Sequence, residues 1–208
     1  YYFHPQSEPT VNMLNFCSPF AKTYPVTRDE AKAIRLAEAV MDGKRYQAKL
    51  LIPQYGLSRY SYKEVAEYLQ MELKKLGIDL RILILDSATH GRYTSAGNYD
   101  FSLGTHGMAN YAPESLLQGY MTAEGMENKL YHIGYRNEEA EEIFRRLPGM
   151  LDMGERRALY DRLQDIAVEA PPILPIDSDY NVVVYNQAAL TGYGATTYGV
   201  TIDKIARR

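Results

Sequence analysis

The side chains best suited to catalysis or metal binding are four histidines, one cysteine and the serines and aspartates scattered between them. His4, His90, His106 and His132 do not lie three or four residues from one another or from the cysteine, as a metal site on one helix would require. The sequence has no nucleophile-elbow, phosphate-loop or dinucleotide-binding motif, and no spacing that indicates a serine, histidine and aspartate triad. Cys17 has apolar neighbours in NFCSPF, which predicts a buried, unreactive thiol. We therefore expect a protein that is not an enzyme and has neither its own metal site nor a cofactor.

Residues 104–113 (GTHGMANYAP) have instead the composition of a ligand-binding loop. Small residues let a ligand approach the backbone, and Gly107 is the one we expect to permit this. The members that can form hydrogen bonds or stack on a ligand are His106, Asn110 and Tyr111. The loop follows a predicted strand at residues 99–103, at the sheet edge where ligands usually bind in open α/β sheets. The alternative is a crossover loop whose tyrosine packs on the next helix.

The element that positions this loop is a predicted β-α-β unit. Residues 62–85 combine apolar residues at helical spacing, Gly77 as a helix terminator and an apolar strand. Residues 48–52 form an earlier apolar strand, so the two strands should be parallel. Residues 54–60 (QYGLSRY) follow that first strand, which makes Tyr60 a weaker candidate for the same ligand site.

Several helix starts can be predicted from capping residues. Serine or threonine followed three residues later by glutamate predicts capping boxes at Ser61 and Thr27. Asn137 and Asp152 are predicted to cap two later helices, each with an apolar face. Residues 119–134 are predicted to be loop, because they are polar and glycine-containing and have no helical period.

The overall composition is that of an ordinary globular protein. The chain has 208 residues, is 46% hydrophobic and carries a net charge of -3, with no apolar run long enough to span a membrane. The mixed charges form no basic stripe, which counts against nucleic acid as a partner. The 19 tyrosines suit a wet cleft for polar ligands, and they are equally compatible with a compositional habit.

Four stretches carry a resemblance to a known family. They are YKEVAEYLQMELKKLGIDLRI at 62–82, YDFSLGTHGMANYAPESLL at 99–117, GYRNEEAEEIF at 134–144 and ERRALYDRLQDIAVEAPPILPI at 155–176. The last two are the most specific, with an Asn-capped helix, a helix carrying the Arg156 to Tyr160 pattern, and Ala-Pro-Pro-Ile-Leu-Pro. The chain resembles the C-terminal lobe of the extracytoplasmic solute-binding proteins of peptide and nickel ABC transporters, bacterial solute-binding protein family 5.

This resemblance implies an α/β, periplasmic-binding-protein-like lobe of type II, with a mixed, mostly parallel sheet flanked by helices. Residues 26–208 would be the C-terminal ligand-binding lobe, and residues 1–25 an extended segment leading in from a missing N-terminal lobe. The implied function is binding of a small peptide or metal-chelate ligand by cleft closure, followed by delivery to ABC permease subunits. The implied location is periplasmic or extracytoplasmic, with membrane association in a Gram-positive organism.

The resemblance also makes residues 105–113 this lobe's share of the cleft. Peptide-binding members usually have a tryptophan and then an aspartate that pairs with the peptide's amino terminus. This chain has His106 at the tryptophan position and Ala109 or Asn110 at the aspartate position. The pattern is closer to the nickel-complex subgroup, in which His106 would be either a direct ligand or a stacking wall.

Two other function classes remain open at this stage. One is a hydrolase or transferase whose catalytic groups lie in a missing half. The other is a protein-interaction module that uses the tyrosine-rich surface.

Overall fold

The computed structural model describes residues 7–107, 112–178, 186–192, 194–196, 199–200 and 204–207. Its helices are α1 Glu30–Met41, α2 Gly56–Arg59, α3 Tyr62–Lys75, α4 Ser87–Ser95, α5 Glu114–Met121, α6 Met126–Leu130, α7 Glu138–Arg146 and α8 Met153–Glu169, with a 3-10 turn at Leu147–Gly149. Its strands are β1 Glu8–Pro9, β2 Tyr46–Pro53, β3 Ile78–Leu85, β4 Phe101–Ser102, β5 Asp177–Ser178, β6 Leu190–Thr191, β7 Ala195–Thr196, β8 Gly199–Val200 and β9 Ala206–Arg207.

A parallel sheet with the order β3-β2-β4 forms the centre of the fold. β2 and β3 pair in parallel along their whole lengths, from Tyr46 opposite Ile78 to Pro53 opposite Leu85, which confirms the predicted β-α-β unit. β4 also runs parallel to β2 but is shorter than the predicted strand at 99–103. Short antiparallel pairs lie outside this sheet, so the mixed, mostly parallel α/β class is confirmed.

One apolar core lies between the parallel sheet and α3. Its buried members are Ala48, Leu50, Ile52, Tyr62, Val65, Ala66, Leu80 and Leu103. The helix contributes the positions that its apolar spacing predicted, and Gly77 has a φ of +79°, as the predicted helix terminator requires. Burial of each large side chain stabilises this packing by roughly 1.5–3 kcal/mol.

A second apolar core joins α5, α7 and α8 to the N-terminal segment. Met13, Leu14 and Phe20 are buried in it, although no periodicity in the sequence marks them. Whether a domain boundary falls near residue 25 stays a prediction.

The predicted helix caps are partly right. Asn137 accepts a hydrogen bond from the Ala140 amide at 2.9 Å, which confirms one predicted cap. Asp152 accepts from the Glu155 amide at 2.8 Å, which confirms another. Neither predicted capping box forms. Ser61 has a φ of 49° and makes no side-chain cap. The box predicted at Thr27 is absent because Asp29 caps α1.

Three further sequence predictions are corrected by the structure. The start of α1 is capped by Asp29, which accepts from the Lys32 amide at 2.8 Å, instead of by Thr27. Cys17 is exposed, because the burial of its neighbours Ser18 and Phe20 turns it outward. The predicted loop at 119–134 contains α6, a helix too short to give a periodic signal.

Candidate functional site

The predicted binding loop starts at the carboxyl edge of the parallel sheet. The Leu103 amide donates to the Leu51 carbonyl at 3.0 Å, and the Leu103 side chain is buried, so the chain leaves the sheet from a fixed point. His106 follows three residues later. Asn110 and Tyr111, two of the predicted site residues, lie outside the described residues, and their roles stay predictions.

A buried tyrosine of α5 holds the His106 side chain. The Tyr120 hydroxyl lies 2.8 Å from Nδ1 and 2.5 Å from Nε2 of the imidazole. The two rings are 5.0 Å apart and meet edge to face at 89°. Tyr120 is only 1% exposed, so the α5 core fixes the group that orients His106.

A second tyrosine lies close to the same imidazole. The ring centroids of Tyr131 and His106 are 6.1 Å apart at an interplanar angle of 84°. The Tyr99 hydroxyl donates to the Tyr131 carbonyl and so ties this residue to the start of β4. His106 is therefore held at the junction of the sheet edge, α5 and the end of α6.

The protonation state of this cluster follows from the desolvation of its polar groups by the protein around them. Desolvation lowers the pKa of His106, and the Glu127 carboxylate acts in the opposite direction. Desolvation raises the pKa of Tyr120, so its hydroxyl stays protonated at neutral pH. The pair at pH 7 is thus a neutral imidazole beside a phenol, which can accept or donate hydrogen bonds or stack on a ligand.

Gly107 has no close neighbour among the described residues. A Cβ placed there would meet none of their atoms within 4 Å. The role expected of Gly107, to let a ligand approach the backbone, stays a prediction.

Tyr60 is positioned by aromatic packing at the end of β2. Its ring stacks on Tyr62 with the centroids 5.3 Å apart at 25°, and the Arg59 guanidinium lies 5.1 Å from the Tyr60 centroid. Gly56 permits this arrangement, since a Cβ there would lie 2.0 Å from Tyr62 Cδ2. The glycine is therefore needed for the packing of Tyr62 under Tyr60.

Tyr62 packs in the same apolar core as Leu103, which lies three residues before His106, and Tyr60 packs against that core. Burial raises the pKa of the Tyr62 hydroxyl. The structure thus brings Tyr60 and His106 to one edge of the sheet.

The far end of the loop is fixed by a half-buried ion pair. Arg156 of α8 pairs with Glu114 in the first turn of α5, and the two side chains are each 23% exposed. The same guanidinium donates to the Tyr160 hydroxyl at 2.7 Å, so the Arg156 to Tyr160 pattern of the sequence is a direct contact. Burial, with a further contribution from Glu114, raises the pKa of Tyr160 to about 12. This contact anchors α5 directly after the loop.

Sequence reasoning missed Tyr120 and Tyr131, which lie against His106. The abundance of tyrosine was the one relevant signal, and it does not say which tyrosines converge. Within the described ranges, no group of three His, Cys, Asp or Glu side chains is arranged to hold a metal ion. No helix in the described part of the chain has the length and apolar character needed to cross a membrane.

No protein-family model and no curated protein sequence matches the chain. Solved structures do match it. The periplasmic binding protein DppA of Helicobacter pylori, in complex with the peptide STSA, is 20% identical with a TM-score of 0.76, over 97% of this chain and 39% of that one. NikA of Staphylococcus aureus, in complex with Ni(L-His)2, is 18% identical with a TM-score of 0.70, over 97% and 43%. The dipeptide binding protein of Pseudoalteromonas sp. SM9913, in complex with Met-Leu, is 15% identical with a TM-score of 0.73, over 97% and 40%.

These matches establish the fold. The resemblance read from the sequence is confirmed at that level, because nearly the whole chain superposes on part of each protein. The chain spans about two fifths of the length of these structures.

Proposed function

We propose that the chain is the C-terminal ligand-binding lobe of a solute-binding protein that serves an ABC import system. The observation that carries this proposal is the match of 97% of the chain to part of a periplasmic binding protein. The site adds support, because the loop of His106 leaves the carboxyl edge of the parallel sheet, where open α/β folds bind ligands. Binding by such a lobe makes and breaks no covalent bond, so the protein is not an enzyme in this proposal.

The proposed ligand is a small peptide or a metal chelate. The matching structures hold the peptide STSA, the dipeptide Met-Leu and Ni(L-His)2, so the shared fold accommodates both kinds of ligand. The neutral imidazole of His106, oriented by Tyr120, suits either stacking on a ligand or contacting a chelated metal. Cleft closure would bring a second lobe onto this surface, and delivery to a permease would follow at the extracytoplasmic side of the membrane.

Native mass spectrometry with elemental analysis tests this proposal on the full-length protein, purified gently. A retained peptide mixture without metal would support peptide import. Retained nickel with an organic chelator would support metal uptake and a direct role for His106. A protein that retains no ligand and binds neither tri-alanine nor the nickel–histidine complex in calorimetry would contradict the proposal.

The loop is tested by His106→Ala and Tyr111→Ala in the same protein. Both should weaken ligand retention, and His106→Ala should leave the protein folded, since the His106 side chain is exposed. Tyr46→Ala provides the control, because Tyr46 lies at the opposite end of β2 and is 51% exposed. Unchanged affinity in both loop variants would remove the loop from the site.

A further inference from the structure

Residues 25–45, which include α1, lie on the surface of the lobe with little burial. The structure describes every residue of this segment, and none of them is buried. The half-buried members are Ala33, Ile34, Ala37 and Met41. Apolar burial therefore holds this segment only weakly, and we call residues 25–45 the strap.

Both ends of the strap are fixed to the rest of the lobe. Directly before it, the Tyr24 hydroxyl donates to Asp165 of α8 at 2.7 Å. Directly after it, the Tyr46 amide at the start of β2 donates to the Gly77 carbonyl at 3.0 Å. The strap is thus tethered at two points, and what holds its middle must come from α1 and α3.

Four charged side chains form a ring that joins the strap to α3. Glu72 of α3 accepts from Arg28 at 2.6 Å and from Lys75 at 2.9 Å. Glu30 of the strap accepts from Arg28 at 2.9 Å and from Lys75 at 3.5 Å. Arg28 also donates to the Tyr68 hydroxyl of α3 at 3.0 Å. Each cation of the ring therefore contacts both carboxylates.

An apolar groove lies beside this ring, between α1 and α3. Its volume is about 300 Å³, and its apolar lining comes from Ala33 of α1 and from Leu69, Leu73 and Leu76 of α3. All four members of the charged ring also line it. The two helices do not close-pack across this space, so they lose the dispersion contacts that a filled interface would supply.

The ring is exposed enough for dissolved salt to weaken it. The side chains of Arg28, Glu30 and Lys75 are 43–54% exposed, and Glu72 is 23% exposed. The distance over which exposed charges interact falls from about 10 Å at 0.1 M salt to about 3 Å at 1 M. The two apolar cores do not depend on charge, so salt should act on the strap selectively.

We infer that the strap is a salt-sensitive conformational device, which separates locally from α3 while both apolar cores stay folded. Separation breaks the ring and uncovers Leu69, Leu73 and Leu76. The tethered ends let the strap return when the ring forms again. α3 ends at Lys75 and leads into the amino end of β3, so this contact lies at the sheet edge opposite the loop of His106. The inference does not rest on the proposed function.

Hydrogen exchange followed by mass spectrometry tests this inference on the full-length protein. Peptides from α1 are compared with peptides from β2 and β3 at about 0.05 M and about 1 M sodium chloride. High salt should speed the exchange of the α1 amides roughly 3- to 10-fold and leave β2 and β3 unchanged.

Glu72→Gln removes one charge of the ring with almost no change of shape. At low salt its α1 amides should exchange as fast as those of the wild type at high salt, and added salt should change them little. Glu67→Gln is the matched control, because it makes the same change in the same helix and Glu67 pairs with Lys63 outside the ring. It should behave like the wild type at both salt concentrations.

Equal exchange of α1 in Glu72→Gln and the wild type would overturn the inference. Faster exchange of α1, β2 and β3 together would overturn it as well, because the whole lobe would then be opening and the strap would not be a local unit. Ligand binding enters none of these measurements, so the proposed function is judged separately.

Discussion

Replacing Gln164 by leucine should destabilise the chain strongly, because this buried amide holds the N-terminal segment against α8. Gln164 is 0% exposed. Its Oε1 accepts from Asn12 Nδ2 at 2.8 Å and from the Lys22 amide at 2.9 Å. Its Nε2 donates to the carbonyls of Phe20 and Tyr160, each at 3.0 Å. Both acceptor lone pairs and both donors of the amide are thus satisfied.

The magnitude follows from the partners that leucine would leave. The Lys22 amide and the Phe20 carbonyl would both lose their hydrogen bonds to Gln164. Asn12 would keep the bond from its Nδ2 to the Lys22 carbonyl at 2.9 Å. A buried polar group left without a partner costs roughly 1–3 kcal/mol, so the two backbone groups predict a loss of about 2–6 kcal/mol. That is a large part of the roughly 5–15 kcal/mol that stabilises a typical domain.

Urea unfolding followed by circular dichroism measures this loss as a change in the free energy of unfolding. Gln118→Leu is the matched control, since it makes the same change at an exposed position of α5 and should stay within about 0.5 kcal/mol of the wild type. A loss below about 1 kcal/mol in Gln164→Leu would refute the view that this amide anchors residues 12–22.

Two further predictions concern the stability of the lobe. Gly125→Ala should destabilise the chain by roughly 1–3 kcal/mol in urea unfolding, because its Cβ would lie 2.2 Å from the Gly119 carbonyl oxygen. Gly149→Ala should be nearly neutral, because its Cβ would meet none of the described atoms within 4 Å. Equal effects of the two substitutions would contradict this. Hydrogen bonds from the Lys22 ammonium and, to a smaller extent, from the Tyr24 hydroxyl lower the pKa of Asp165 below its usual value. The ionised carboxylate therefore stabilises the fold above about pH 4. This contribution is lost as the pH falls through the folded-state pKa of Asp165. Asp165→Asn should therefore lose less unfolding free energy than the wild type between pH 6 and pH 3, and parallel losses would exclude this role.

The structure agrees with the sequence at several places where a local pattern determines the backbone. The apolar spacing of α3, the left-handed Gly77 and the parallel pairing of β2 with β3 depend on neighbouring residues or on a short crossover. The caps at Asn137 and Asp152 are local in the same way. Ser61 shows the limit of this reasoning, because its positive φ turns a matching motif away from the capping geometry.

The N-terminal segment shows why the core was harder to predict. Met13, Leu14 and Phe20 are buried because α8 lies against them, and Gln164, which bonds to this segment, is more than 140 residues away in sequence. No period of 2 or 3.6 marks such residues, since they belong to no long helix or strand. The exposure of Cys17 was not predicted for the same reason, and its apolar neighbours in the sequence suggested burial instead.

The sequence by itself determined the α/β class, the parallel strand pair and the position of the loop that carries His106. The tertiary structure decided what surrounds that histidine: Tyr120 from α5 and Tyr131 from the end of α6. Local patterns report the backbone, because helical and strand periods repeat within a few residues. The convergence of side chains from separate elements depends on how those elements pack, and that packing leaves no periodic trace in the sequence.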